Sequence, residues 1–278
     1  MKLVKTATLS AGALLLCSSA QAQSLFFDGF ETSLPSATNA VPLEGAATGT
    51  GIFAEPWQVQ NDDSSIPGYN IVNATSLTRE SGNYAIGGDS YQGSARTLDR
   101  AAAVAIAPGL ANLSGTTEVI GGGGLTLEFS GVIRRDAGQR PIPVNLGTNF
   151  FGGATSGSAN TGFGFGDEDE NGFIDVFSRG TTFNSPIALT LGMSYNVTVR
   201  AVFAETGTAA ALTLFVDGVQ VGALATLNGT FREVGFYGGN GVNSSSVDNL
   251  SLSVVPEPSS IALGALGVLG LVARRRRS

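Results

Sequence analysis

The chain has 278 residues, 22 of them acidic and 15 basic, with no histidine and one cysteine; its 39 glycines and 10 prolines make up about 18 % of it, against a usual share of roughly 12 %. So many helix breakers exclude a long helical bundle, while a hydrophobic content of 42 % is enough for a packed core rather than a disordered chain. Without histidine there is no Ser-His or Cys-His nucleophile pair and no His-ligated zinc or iron.

Residues 1–22 open with Lys2 and Lys5, run through an apolar stretch at 11–16 and close on Ala20-Gln21-Ala22, a small-x-small cleavage site before Gln23. This is the pattern of a secretory signal peptide, with the cut expected between Ala22 and Gln23. The rival, a lipidated Cys17, is disfavoured by Leu16, which stands where a small residue is preferred. Cleavage after Ala22 removes the cysteine, so the mature domain has no disulfide and relies on packing.

Residues 23–254 carry nine arginines, no lysine and 21 acidic side chains, a formal charge of −12. A surface of that sign repels phosphate backbones, so nucleic acid is not an expected partner. The lack of lysine also removes a Schiff base, a Ser-Lys pair and a phosphate-binding loop, and leaves the glycine run 121–124 as a turn.

Strand signals recur along this region. Residues 25–30 predict an N-terminal strand; 101–107 come nearest to a helix but are short and partly β-branched. The stretches 125–133 and 195–203 alternate apolar and polar residues with period two, as half-buried strands do. Residues 211–216 and 219–221 flank Asp217-Gly218, whose preference for positive φ predicts a tight hairpin. Residues 231–237 and 247–254 complete the antiparallel candidates. In 162–166, Phe163 and Phe165 are expected to enter the core, with Gly164 between them letting a neighbouring chain approach. The fold class is therefore all-β, a single antiparallel β-sandwich of jelly-roll type.

One local pattern carries chemistry. Asp167-Glu168-Asp169-Glu170-Asn171-Gly172-Phe173-Ile174-Asp175 matches the D-x-D-x-N-G start of a calcium loop, with short oxygen side chains at alternate positions and a glycine for the sharp turn. Asp167, Asp169 and Asn171 would ligate through side chains, Phe173 through its carbonyl, and Asp175 directly or through water. The match fails at the twelfth position, Ser178, and the flanks read as strands rather than helices; a solvated acidic turn between the strands 162–166 and 173–177 is the alternative. Carboxylates are also the acid-base groups left for glycoside hydrolysis, but the one close glutamate pair, Glu168 and Glu170, abuts the turn signal Asn171-Gly172. Trp57, Tyr69, Tyr84, Tyr91 and Tyr237 offer faces for sugar stacking, or else core packing.

The C-terminal end begins with Val255-Pro256-Glu257-Pro258, continues with thirteen apolar or glycine residues at 261–273 and ends with Arg274, Arg275, Arg276 and Arg277. Thirteen helical residues span roughly 20 Å against a bilayer core of about 30 Å, so this is a short transmembrane helix and a weak anchor. The arginines would hold its far end on the cytoplasmic side. Glycines 264, 267 and 270 give it a small-residue side for another helix, and the prolines keep the preceding backbone extended and readable by a protease.

Pro-Glu-Pro, apolar helix and arginine cluster, in that order, resemble the PEP-CTERM sorting signal of Gram-negative bacteria over about the last 24 residues. The resemblance implies a secreted protein that uses the Sec translocon, is held transiently in the inner membrane and is trimmed by the membrane protease exosortase; such proteins accompany exopolysaccharide, biofilm or floc matrix. Val255, Pro256, Glu257 and Pro258 would be the recognition residues and Arg274–Arg277 the retention signal. Residues 194–221, with Val197, Val199, Leu212, Leu214, the 216–219 hairpin and Val247-Asp248, are also similar to laminin-G and concanavalin A-like jelly rolls, which bind glycans or calcium or serve as scaffolds. The expectation is a non-enzymatic surface or matrix protein with a structural or adhesive role. A calcium-dependent carbohydrate-binding module is the alternative, and a carboxylate-dependent glycanase the third.

Overall fold

The computed structural model describes residues 22–30, 40–42, 49–53, 56–60, 70–73, 83–86, 92–97, 124–135, 143–147, 162–167, 169, 171–178, 181–226, 231–238 and 245–255. The signal peptide up to Gln21, the segment 101–107 and the tail from Pro256 onward lie outside them. The sandwich belongs to the unit Ser24–Val254, and the two chain ends fall outside that unit.

The described residues form strands and no helix. In chain order these are β1 (Gln23–Asp28), β2 (Ala40–Pro42), β3 (Thr50–Gly51), β4 (Gln58–Gln60), β5 (Asn70–Asn73), β6 (Asn83–Ile86), β7 (Gln92–Thr97), β8 (Thr126–Arg135) and β9 (Val144–Gly147), then β10 (Phe163–Gly166), β11 (Phe173–Ser178), β12 (Thr181–Ala188), β13 (Ser194–Phe203), β14 (Ala210–Val216), β15 (Val219–Thr226), β16 (Glu233–Gly238) and β17 (Ser245–Val254). One sheet runs β15-β14-β13-β8-β17-β6-β5-β2, with β1 pairing β17 and β3; the other runs β12-β11-β10-β9-β16-β7-β4. The protein is thus the antiparallel β-sandwich of jelly-roll type that the alternation predicts.

Period-two patterning explains the core. In β13, Tyr195, Val197, Val199, Ala201 and Phe203 are buried, while the residues between them are less so. Across the ladder Val199 faces Phe129 and Ala201 faces Leu127 of β8. Phe129 meets Phe165 of the other sheet at 5.2 Å between ring centroids, and Phe163 meets Phe203 at 6.3 Å, so β10 does send both phenylalanines inward. Gly164 between them shows why no side chain stands there: a Cβ would collide with the Val144 carbonyl oxygen and lie 2.6 Å from Asn145 Cβ. Gly164→Ala should therefore cost about 1–3 kcal/mol, read as a lower urea midpoint at unchanged slope. The Asp217-Gly218 turn has φ of 49° and 78°, the two positive values a tight hairpin between β14 and β15 needs.

Three departures have physical causes. The N-terminal strand stops at Asp28, because Asp28 Oδ1 accepts the Phe30 N–H at 2.8 Å and turns the chain, leaving Phe30 at φ 53°. The final strand is bulged between Asp248 and Ser251, with Asn249 at φ 50°; Leu250 swings over Gly131, whose missing side chain makes the room. Strand β12 carries Pro186 and is not expected from its sequence, yet it lies on a sheet edge, where a missing N–H costs no ladder bond. Its Phe183 packs on Gly222 of β15, joining the two sheets on that side.

Strand β17 sets the polarity of the molecule. It begins with Ser245 beside Arg135 and finishes with Val254 beside Leu127. The β10–β11 turn sits at the Arg135 end: Arg135 Nη1 lies 3.7 Å from where a Gly172 Cβ would be, and the Arg135 carbonyl accepts the Gly192 N–H at 2.7 Å. β17 therefore finishes at the opposite end of the sandwich, roughly 30 Å away along ten extended residues.

Candidate functional site

The acidic segment 167–175 connects β10 to β11. Gly172 takes φ of 87°, a conformation that an L side chain rarely adopts, and its N–H donates to Asp167 Oδ2 at 2.7 Å. The Asn171 N–H and Nδ2 donate to Asp169 at 3.3 and 3.1 Å, and Asn171 Oδ1 accepts the Phe173 N–H at 2.9 Å. These bonds fold the backbone over the acidic side chains. One oxygen from each of Asp167, Asp169 and Asp175 lies within 4.8 Å of the other two.

Burial makes this grouping unusual. Asp167 is 1 % exposed and Asp175 fully buried, whereas Asp169 is exposed. Asp167 Oδ1 is buried and accepts no hydrogen bond. Burial pushes the Asp167 carboxyl up to about 6 from its ordinary 3.8, and the Asp169 charge pushes the same way; the N–H groups of Gly172 and Asn171 and the Arg135 guanidinium pull it back. An orphaned, dehydrated oxygen facing two further carboxylates is the donor set a hard cation takes, since calcium prefers six to eight oxygens at about 2.3–2.6 Å.

Of the five ligands read from the sequence, the fold gathers the three aspartates. Asn171 spends its amide within the turn, and Phe173 opens β11 as an exposed residue. Two contributors were not legible in the sequence. Asn184 of β12 donates to Asp169 Oδ2 at 2.9 Å, and Arg135 arrives from the end of β8. The first depends on strand pairing, Asp175 lying opposite Asn184, and the second on the packing of one sheet against the other.

The other candidates separate clearly. Trp57 is fully buried, its ring 5.6 Å from Phe30 and 5.1 Å from Phe236, and its Nε1 donates to Asp28 Oδ2 at 2.8 Å. It is a core residue and offers no sugar-stacking face. Tyr84 and Tyr237 stand on β6 and β16, while Tyr69, Tyr91, Glu168 and Glu170 lie outside the described residues. Ala22 and Gln23 stand at the start of β1 and Val255 directly follows β17; Pro256, Glu257, Pro258 and Arg274–Arg277 lie outside the described residues.

Comparison with known proteins decides what that tail is. Residues 254–277 match the PEP-CTERM protein-sorting motif. The PEP-CTERM motif implies an exported protein, anchored transiently in the membrane and processed by exosortase. No curated protein matches the chain. Among solved structures, similarity is seen to a sialidase (10 % identity, TM-score 0.41, covering 71 % of this chain and 17 % of that one). Others are an endo-1,3-beta-glucanase from Streptomyces sioyaensis (12 %, TM-score 0.42, 85 % and 97 %) and peanut lectin (10 %, TM-score 0.42, 85 % and 98 %). The chain thus spans less than a fifth of the sialidase's length.

Proposed function

We propose that this protein is a non-enzymatic component of the cell surface or extracellular matrix of a Gram-negative bacterium, exported behind a signal peptide cut after Ala22. In this reading its β-sandwich has a structural or adhesive role in exopolysaccharide or biofilm, and a calcium ion held by Asp167, Asp169 and Asp175 stiffens the end of the sandwich opposite the finish of β17. The PEP-CTERM motif carries the reading, because it ties export and membrane sorting to the end of the same chain that bears the sandwich. The absence of histidine and lysine from the exported region supports a role without catalysis. Calcium is supported by the buried Asp167 oxygen: two dehydrated carboxylates, Asp167 and Asp175, beside the exposed Asp169 are tolerated when a cation or protons neutralise them.

A second reading, calcium-dependent carbohydrate binding, is favoured by Asp169. Its exposure leaves the outer side of the ion open to sugar hydroxyls. The experiment that separates the two uses mature protein and the producer's own exopolysaccharide, sedimented together with calcium and with a chelator. A structural role predicts retention that changes less than about twofold on chelation, together with a lower melting temperature. Retention that falls tenfold or more while the fold survives selects the binding module, and hydrolysis of the polymer overturns both.

A further inference from the structure

The turn between β10 and β11 holds an asparagine amide against the backbone nitrogen that follows it. Asn171 Oδ1 accepts the Phe173 N–H at 2.9 Å, and Asn171 Nδ2 donates to Asp169 Oδ2 at 3.1 Å. Those two bonds fold the side chain back over the next peptide group and fix its orientation, so most of the entropy of closing a ring there is already lost. The Gly172 N–H donates to Asp167 Oδ2 at 2.7 Å, and a carboxylate that draws this hydrogen enriches the nitrogen behind it. Attack of that nitrogen on Asn171 Cγ puts negative charge on Oδ1, where the Phe173 N–H already stands. Gly172 brings no side chain to obstruct the approach: the nearest atom to where its Cβ would lie is Arg135 Nη1, 3.7 Å off. Asn171 is exposed and Gly172 half-buried, so water reaches the pair.

We propose that Asn171 is a self-modification site, at which the folded chain converts its own side-chain amide to a carboxylate. The Gly172 nitrogen bonds to Asn171 Cγ as the Cγ–Nδ2 bond breaks. The Gly172 hydrogen, relayed by water, ends on the departing nitrogen, which leaves as ammonia. One water then opens the cyclic imide, its oxygen adding to either imide carbonyl as that C–N bond breaks. The products are an aspartyl side chain on the original backbone, or a backbone rerouted through the former side chain; no oxidant or cofactor is consumed. The first product turns D-x-D-x-N-G into D-x-D-x-D-G and sets a fourth carboxylate beside Asp167, Asp169 and Asp175. A calcium loop gains affinity with the number of its charged ligands. That consequence rests on the calcium reading, whereas the modification itself does not.

The chain has two further Asn-Gly steps, Asn228-Gly229 and Asn240-Gly241, which serve as internal references. The test incubates mature protein at neutral pH, folded and in urea, and follows amide loss at each step by peptide mapping and mass spectrometry. Urea abolishes the arrangement, so there the three steps should convert at similar rates. In the folded protein Asn171 should convert about fivefold faster than it does in urea. A folded rate no higher than the urea rate overturns the proposal, because the turn then shields the amide instead of activating it. Asn171→Asp supplies the first product directly, and the calcium concentration at the midpoint of its rise in melting temperature should be about tenfold lower than for freshly made parent. If calcium moves the melting temperature of neither protein, the calcium reading fails, and the peptide maps still decide the self-modification.

Discussion

On the calcium reading, calcium should raise the melting temperature of the parent protein and Asp167→Asn should abolish that rise, while leaving the metal-free protein at pH 7.5 as stable as the parent or more so. The direction is opposite to that of most substitutions at buried positions. It follows from the carboxyl's displacement to about 6, which at neutral pH makes the ionised group a burden of about 3 kcal/mol in the absence of a cation. An amide removes the charge and still offers an oxygen to the Gly172 N–H. The pH dependence has a defined sign. A carboxyl whose folded pKa lies above its unfolded value stabilises the fold most when protonated. On this group's account the metal-free parent therefore loses stability as pH climbs from about 4 to about 6, and is level beyond. A calcium ion would bind the ionised form, so the gap in melting temperature between calcium and chelator should be small at pH 5 and full at pH 7.5. Thermal scans of both proteins at the two pH values check this. A gap of equal size at pH 5, or one that survives in Asp167→Asn, removes Asp167 from the ion's ligands.

Trp57→Ala should cost about 3–5 kcal/mol, the usual range for emptying a fully buried aromatic site. Its ring fills the space between Phe30 and Phe236, and its N–H reaches Asp28, the residue that turns the chain out of β1. Trp57→Phe should keep most of the packing and lose that buried hydrogen bond, leaving the Asp28 oxygen without its Trp57 donor, about 1–3 kcal/mol. Urea unfolding followed by circular dichroism measures both. Because Trp57 is the chain's one tryptophan, the parent's fluorescence should be blue-shifted when folded and move red in one step on unfolding. A Trp57→Ala protein that melts like the parent but no longer binds polysaccharide would return this residue to the surface as a stacking platform.

Much of the architecture was legible because strand burial writes itself into the sequence with period two. Val197, Val199 and Ala201 could be assigned to one face before any partner was known, and Asp217-Gly218 marked the hairpin through the backbone angles those residues tolerate. The bulge at Asn249 was not, since it depends on Gly131 of another strand leaving room for Leu250. β12 was hidden by Pro186, which argues against a strand everywhere except on an edge, and edges are a property of the assembled sheet. The same division runs through the candidate site. Spacing and Gly172 announced the three aspartates, but burial turned them from a solvated turn into a constrained cluster, and Asn184 joined them only through cross-strand register. The sorting tail was the most legible part, being a linear signal read by export machinery rather than a product of folding.

The run of β17 from the distal turn to the tail also sets how the molecule takes a pull. Tension applied at Val255 and resisted at the β10–β11 turn acts along this strand, across ladder bonds that lie nearly at right angles to it, so they share the load in shear instead of parting one by one like a zip. The sandwich therefore meets a force directed along β17 with many ladder bonds at once.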